Sequence, residues 1–471
     1  SHAAEPGLVT MQAMAAIALF GWIPLILILF ALLPARRAVL TAFIVGWLFL
    51  PMSSFKIPGL PDYNKVTATN LGVLMMAMMF DSARMMRFRP RWFDLPALVY
   101  CVSPFFSSIT NNLGAYDGLS AIAFNLFLWG IPYFIGRVYF NDLTGMRELA
   151  IAVFVGAMLY VPLCLYEIRM SPQLHKLVYG FLQQTFRESK RWGGYRPAVF
   201  LQHGLAVGMY MCTAALAGWW MWRCGTVKQI KSIPMGLAVV AVLGPALLCK
   251  STGAIVLLVA GLMVLYVSVK MRMAAPLVCL ALFVPVYIGA RTFGLWSEQQ
   301  LTTLTSDLVG NDRAQSLAMR LRNEDRLAAK GMERPVFGWG RWGRNQIIDT
   351  ETGKHTVTDG MWVIALGQAG LVGLVSFTLL LLLPVAIFIR GCRPRFWSQP
   401  AIAPAAAMAV LLVIHMIDNL FNALPNPIFM LAAGGLPQVA LASAAAYATA
   451  KAPATRAPTG RLVAQPLMRR V

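Results

Sequence analysis

Residues 361–389 read MWVIALGQAGLVGLVSFTLLLLLPVAIFI, a stretch without a charged side chain that ends at Arg390. A bilayer's hydrocarbon core is about 30 Å thick, so roughly 20 apolar residues in a helix are enough to cross it. Inside lipid every unpaired peptide group costs several kcal/mol, which leaves helices and closed barrels as the only spanning structures. A barrel would show alternating segments of about ten residues, and this stretch is continuously apolar. It therefore reads as a membrane-spanning helix, and the rest of the chain can be sorted against it.

The composition agrees. Of 471 residues, 58% are hydrophobic and only 13% charged, against roughly 25% charged in soluble domains, and the mean hydropathy is +0.64. A soluble globular protein is excluded. The 40 Lys and Arg outnumber the 19 Asp and Glu, giving +21, but a chain this apolar is no solvated nucleic-acid binder, and nucleic acid is not expected as a partner. Further apolar runs lie near 13–33, 38–54, 71–83, 93–110, 119–136, 149–168, 198–222, 233–249, 253–269, 274–290, 401–420 and 427–447. The second, third and fourth runs along the chain are short or interrupted by Pro. The expected fold is thus all-α, a polytopic integral membrane helix bundle of about 11–13 transmembrane helices, with membrane lipids around it.

Cytoplasmic connections are enriched in Lys and Arg, and this rule sorts the charge. One set of connections holds Arg36 and Arg37; Arg84, Arg87, Arg89 and Arg91; Arg137 and Arg147; Arg223, Lys228 and Lys231; Lys270 and Arg272; and Arg390, Arg393 and Arg395. A tail with Lys451, Arg456, Arg461, Arg469 and Arg470 joins them. The opposing short connections carry only Lys56, Lys65 and Lys250. The first set is expected inside, and the two long connections outside. The division is then N-terminal transmembrane helices over 1–170, an outer loop over 171–197, central helices over 198–290, and a large outer loop over 291–360. C-terminal helices follow over 361–447, with a disordered, Ala-, Pro- and Arg-rich cytoplasmic tail over 448–471. Ser1 to Pro6 reads as a tag remnant or short outer tail and not as a signal peptide, because no basic residue precedes the first apolar run.

Seven cysteines, Cys101, Cys164, Cys212, Cys224, Cys249, Cys279 and Cys392, fall in or beside apolar runs. Their odd number and unpaired spacing support neither a disulfide framework nor a zinc site, and no metal or cofactor is expected. No fixed-period repeat is visible.

Loops longer than about 15 residues are usually functional or disordered, and the large loop carries pattern. Asn311-Asp312 is placed to cap a helix over Arg313 to Lys330, in which Leu317, Leu321 and Leu327 recur near helical spacing while Arg320, Arg322, Glu324, Asp325 and Arg326 fill other faces. Such an amphipathic helix would lie on the membrane surface or close over a cavity. Then comes Arg334-Pro335-Val336-Phe337-Gly338-Trp339-Gly340-Arg341-Trp342-Gly343-Arg344. Glycines permit close approach to backbone, aromatics stack on sugar rings and arginines grip phosphates bidentately, so an anionic, partly sugar-like ligand fits. The plainer reading has these arginines facing lipid head groups or pairing with acids of the same loop. The shorter loop offers Arg187, Glu188, Lys190, Arg191 and Arg196 ahead of His203, and Lys250 sits in a tight turn between two apolar runs. Membrane-edge ionisable groups are functional candidates by default, with snorkelling as the plain alternative for Lys250 and helix packing for His203.

In order along the chain, Arg196-Pro197-Ala198-Val199-Phe200, Lys250-Ser251-Thr252-Gly253-Ala254, Arg320, Pro335-Val336-Phe337-Gly338-Trp339-Gly340 and Leu366-Gly367-Gln368-Ala369-Gly370-Leu371-Val372-Gly373-Leu374 resemble the O-antigen ligase and O-antigen polymerase family. The resemblance covers roughly residues 185–385. It implies a multi-span inner-membrane enzyme that takes an undecaprenyl-diphosphate-linked glycan as donor and transfers it with inversion at the periplasmic face. The acceptor is a lipid A core sugar, another repeat unit or a protein hydroxyl, for lipopolysaccharide or exopolysaccharide synthesis. By this resemblance Arg196 and Arg320 contact the donor diphosphate. Two positions depart from the family pattern. The family places Arg in a Ser-Arg-Gly-Ala turn where this chain has Ser251-Thr252-Gly253-Ala254, so Lys250 is the candidate for that charge. Where the family has a His-Asn pair, this chain has Asp359-Gly360, with His355 four residues upstream.

The chemistry of the residues leads the same way. Expelling a lipid diphosphate from a sugar C1 calls for fixed cations on the leaving group, with Arg196, Arg320, Lys250, Arg191 and Arg341 as candidates. A base is needed at the acceptor hydroxyl, with Asp359 and His355 as candidates; their plain alternatives are a helix cap and an exposed loop histidine. No Gly-rich nucleotide loop is present. The expected function is a lipid-linked glycan polymerase acting on repeat units, with a ligase as the alternative and a transporter of an anion or glycan as a more distant one.

Overall fold

The computed structural model describes residues 6–57, 61–191, 193–296, 311–341, 343–348, 355–356 and 358–451. The N-terminal Ser1 to Glu5, most of the C-terminal tail, Trp342 and parts of the 291–360 connection therefore lie outside the described residues. The chain is a bundle of α-helices: α1 (Pro6–Phe20), α2 (Trp22–Leu32), α3 (Ala35–Phe49), α4 (Lys65–Phe80), α5 (Ser82–Met86), α6 (Leu95–Thr110), α7 (Ala115–Asn125), α8 (Ile131–Tyr139) and α9 (Leu143–Met170). It continues with α10 (Leu174–Tyr179), α11 (Gly204–Arg223), α12 (Met235–Leu248), α13 (Thr252–Met271), α14 (Ala275–Thr292), α15 (Asn311–Met332), α16 (Met361–Gly391), α17 (Ala403–Phe421) and α18 (Pro427–Lys451). Three two-residue antiparallel pairs are the only strand pairings longer than a single bridge among the described residues, and short 3-10 turns lie at Trp92–Asp94, Phe186–Ser189 and Pro394–Phe396.

Among the described residues, 10 helical segments are long and apolar enough to cross a membrane. One runs from α1 into α2, one joins α7 to α8 through a π-helical turn at Leu126–Gly130, and the others are α6, α9, α11, α13, α14, α16, α17 and α18. The apolar runs 38–54, 71–83 and 233–249 correspond to the shorter helices α3, α4 and α12. Hydropathy breaks at the start of α4 because Lys65, Thr67, Thr69 and Asn70 are polar, yet all four are buried. The helix forms because Asn64 caps it, its side chain accepting from the Val66 and Thr67 amides. Its polar groups are then met from inside the bundle: Lys65 Nζ donates to Trp47 O and Phe200 O, Trp22 Nε1 donates to Thr69, and Asn70 donates to Phe127 O.

Helices α11 and α17 are buried over nearly their whole length and form the middle of the bundle, whereas α13 and α14 expose most of theirs. Small residues let backbones close on one another, as expected where lipid supplies no hydrophobic drive between helices. A Cβ on Gly434 of α18 would fall 2.1 Å from Tyr133 O of α8, and one on Gly435 would fall 2.2 Å from Phe140 O.

Helix α16 is broken at Gly370 (φ 64, ψ −160). The break frees main-chain groups that an apolar surrounding cannot satisfy, and residues 335–340 fill it. The Leu371 and Val372 amides donate to Pro335 O and Val336 O (2.7 and 3.3 Å), while the Trp339 and Gly340 amides donate to Gly367 O and Gln368 O (2.8 and 3.0 Å). The glycines of this segment thus serve approach by the chain's own backbone. Its aromatic side chains are occupied as well: Phe337 stacks on Phe106 at 5.5 Å, and Trp339 lies under both Lys330 and Arg334.

The connections gather at two ends. One end joins residues 94, 137 and 438, 36 to 142, and 147 and 400 to the 226 turn. The other, here the loop face, joins 111–117, 187–203, 249–251 and the described parts of 291–360. The apolar run 198–222 is helical from Gly204 only; residues 196–203 form a fixed loop at that face, for reasons that belong to the site.

Candidate functional site

Helix α9 ends at the loop face with Glu167 fully buried. Its carboxylate accepts from the amides of Leu174, Ala198 and Val199 at 2.8–2.9 Å. From the other side Lys65 donates to Phe200 O, and Gln183 donates to Val199 O and Leu201 O. Val199 is held at φ 50, a left-handed conformation that a β-branched residue adopts only when its surroundings impose it. These contacts replace the first turn of helix that hydropathy alone assigns to residues 198–203, and they fix Arg196 just before it.

Arg196 is 4% exposed. Its amide donates to Ser189 O at 2.7 Å, beside the hairpin pairing Lys190–Arg191 with Gly194–Tyr195, and its Nη2 donates to Lys250 O at 3.0 Å. The stem packs against Gly204, where a Cβ would meet it at 2.4 Å. Its Nε is buried without a hydrogen-bond partner in the protein. Burial, and then the positive charge of Arg191, lower its pKa to about 10, so it remains a cation at neutral pH. Lys250, at φ 53, turns its ammonium onto Arg191 O at 2.9 Å and so ties the 190–195 hairpin to the α12–α13 turn.

Arg320, on α15, enters the same group: it acts electrostatically on Arg196, on His203 and on Asp418 of α17, and its Nε lies 3.4 Å from Asp359 Oδ2. Asp359 does not cap α16. The cap position is Gly360, which has no side chain to bond the first amides. His203 is the cap of α11, its Nδ1 accepting from the Leu205 amide at 3.0 Å, and its Nε2 stands 3.6 Å from Glu188 Oε2. With Nδ1 accepting, the neutral ring carries its proton on Nε2. Burial, reinforced by the charge of Arg196, holds its pKa below the ordinary histidine value.

The structure therefore gathers Arg191, Arg196, Lys250, Arg320 and Asp359, with His203, Glu188 and Asp418. Two candidates lie apart from this group. Arg341 donates to Ser120 at 3.0 Å beside the Arg344–Asp117 pair, at the α6–α7 hairpin. His355 is exposed, its backbone paired with Ile348. Sequence reasoning missed Glu167, Lys65 as a clamp, and Asp418. Each is an ionisable residue in or at the edge of an apolar stretch, and that signal alone marks a functional candidate.

Helix α15 is seated by Arg291 at the end of α14. The guanidinium is fully buried, 2.9 Å from Asp325 and 3.6 Å from Glu324, and donates to Leu321 O. Glu324 also accepts from Tyr287 at 2.8 Å, and burial raises its pKa to about 7 against the pull of both partners. Of the three leucines that recur near helical spacing, Leu321 and Leu327 are buried; the side chain of Leu317 lies outside the described ones. Among the described residues no three His, Cys, Asp or Glu side chains gather as a metal ion requires.

The fold defines a multi-pass α-helical membrane protein with a cluster of ionisable side chains at the loop face around Arg196 and Arg320. No family model matches the chain, and no curated protein matches it either.

Proposed function

We propose that the protein is an inverting membrane glycosyltransferase. It transfers a glycan from an undecaprenyl-diphosphate donor to an acceptor sugar hydroxyl at the loop face, which faces the periplasm of a bacterial inner membrane, and so polymerises surface-polysaccharide repeat units. The observation that carries this reading is the buried Arg196, its Nε without a protein partner, beside Arg320 and a carboxylate. Buried donors are nearly always satisfied, and a diphosphate oxygen is the acceptor that a guanidinium fork suits best.

In the reaction the acceptor oxygen bonds to the donor C1 from the face opposite the diphosphate, the C1–O bond breaks, and the electron pair leaves on the diphosphate. Arg196 and Arg320 stabilise that charge, with Arg191 and Lys250 raising the local potential. The acceptor proton goes to Asp359, which the diphosphate frees by drawing Arg320 away. His203 offers an N–H and Asp418 an acceptor for sugar hydroxyls.

Purified protein given the lipid-linked repeat alone should build longer chains and release undecaprenyl diphosphate. Arg196→Ala and Arg320→Ala should each lower turnover about 10²–10³-fold, the usual consequence of removing one charge-stabilising donor, with unchanged elution and helicity. Full activity in both variants defeats the proposal. Product formed only after a separate acceptor is added would make the protein a ligase.

A further inference from the structure

At the end of the bundle opposite Arg196, a cavity of about 330 Å3 is lined by Arg36, Arg84, Arg87, Arg89, Arg91 and Arg137. This volume falls within the range of small-ligand pockets, roughly 300–1,000 Å3. Half of the guanidinium groups have partners: Arg36 pairs with Asp142 at 2.6 Å, Arg84 with Asp81 at 3.6 Å, and Arg137 with Asp94 at 2.7 Å. Among the described residues Arg87, Arg89 and Arg91 have no carboxylate within 4.0 Å.

The stretch Arg87-Phe88-Arg89-Pro90-Arg91 is nonetheless held in place. Phe88 packs edge-on against Phe134 at 4.9 Å, and the buried Arg137 lies over Phe88 and Phe93 and donates to Arg89 O. Three arginines without a carboxylate partner among the described residues thus line one cavity from a held stretch of backbone, an arrangement that suits an anion. The rule that orients membrane proteins counts Lys and Arg alike in any arrangement. It does not account for convergence on a cavity, nor for guanidinium at all six positions. Bidentate geometry selects Arg where phosphate is gripped. Beside the cavity Met86, Trp92 and Leu95 are 78%, 65% and 57% exposed, an apolar flank of the kind that sits at the membrane interface. A ligand that joins phosphate to an apolar body meets both features.

We propose that this cavity binds the phosphate of an anionic phospholipid, with Arg87, Arg89 and Arg91 on its oxygens and Met86 and Trp92 along its apolar part. Basic pockets between membrane helices suit such head groups. The site is separate from the glycan-transfer reading and stands or falls without it.

The test is native mass spectrometry and thermal unfolding of the delipidated full chain with cardiolipin, phosphatidylglycerol, phosphatidylcholine or inorganic pyrophosphate. Cardiolipin should be retained at least tenfold better than phosphatidylcholine and raise the melting temperature. Arg87→Gln/Arg89→Gln should lower that retention at least tenfold, and Arg223→Gln/Lys231→Gln, on the same face, should leave it unchanged. If the double variant does not fold, Arg91→Gln alone should lower retention several-fold. Equal retention of phosphatidylcholine, or retention undiminished in the folded variants, overturns the proposal. Pyrophosphate protecting the lipid-free protein as strongly as cardiolipin overturns the lipid as the ligand.

Discussion

Arg196, Glu167 and Glu324 show how single side chains set the chemistry at the loop face. Arg196 is fixed through its amide and one arm of its guanidinium, and a lysine reaching the same place would keep charge but lose the fork. Arg196→Lys should therefore recover only a small part of the transfer activity lost in Arg196→Ala. Glu167 acts through the loop. Glu167→Gln retains shape but removes the charge that three amides share, and bonds to charged groups are worth about 1.5–3 kcal/mol each. We expect a lower melting temperature and, because Arg196 loses its position, a fall in kcat larger than the change in KM. Glu324 couples α15 to pH. Its folded pKa of about 7 lies above the ordinary glutamate value of 4.5, so the folded state holds the proton more tightly. The stability this contributes is complete below about pH 4.5 and is lost as pH rises through about 7. Amide-exchange protection over residues 318–332 should accordingly weaken between those limits, and Glu324→Gln should flatten the profile; an unchanged slope in the variant would remove Glu324 as its cause.

Among the elements, the broken helix α16 is the one whose sequence misleads. Residues 361–389 read as a single uninterrupted span, and the glycine-rich stretch 335–344 reads as a ligand loop. The structure joins them, the loop filling the break, because a helix interrupted at membrane depth must find partners for its main chain. Spacing along one strand of sequence carries no information about that pairing. Gly370 occupies a conformation open essentially to glycine alone, and a Cβ there would also fall 2.4 Å from Val336. Gly343 has φ 96 but open space around it. Both alanine substitutions incur backbone strain of about 1–3 kcal/mol; Gly370→Ala adds a backbone collision and should lower the melting temperature clearly more than Gly343→Ala. Equal shifts would mean that the joint yields.

At the scale of the whole molecule, the spans were legible because lipid imposes length and apolarity on any helix that crosses it, and the runs at 149–168, 253–269 and 401–420 coincide with α9, α13 and α17. The polar start of α4 and the loop over 196–203 were not, since their peptide and side-chain partners come from distant helices. At the site, Arg196 stood out as part of a basic cluster entering an apolar run, and Arg320 was singled out only through the family resemblance, since on its own it reads as one charge among several on a loop helix. Asp418 was not singled out although an acid at the end of an apolar run is a signal in itself; that the charge of Arg320 acts on it emerges only in three dimensions. The sorting of basic connections onto one end also predicts orientation. An export-dependent phosphatase reporter inserted at Gly114 should be active and one at Gly225 silent; the reverse pattern would turn the assignment over.

The seat of residues 335–340 in α16 is built from main-chain groups on both sides, and outside the glycines that let the two backbones meet, Gly338 and Gly370, such a joint registers little of which side chains it carries. It registers count. Arg320 lies upstream of the joint and Asp359 directly precedes the helix that contains it. The chain between them is therefore measured off against a fixed peg, like a ruler clamped at one mark. Exchange of Val336 or Phe337 alters packing locally, but one residue added or removed between Val336 and Trp339 leaves the two pairs of bonds unable to keep register together. Away from those glycines, this part of the molecule tolerates changes in spelling and not in length.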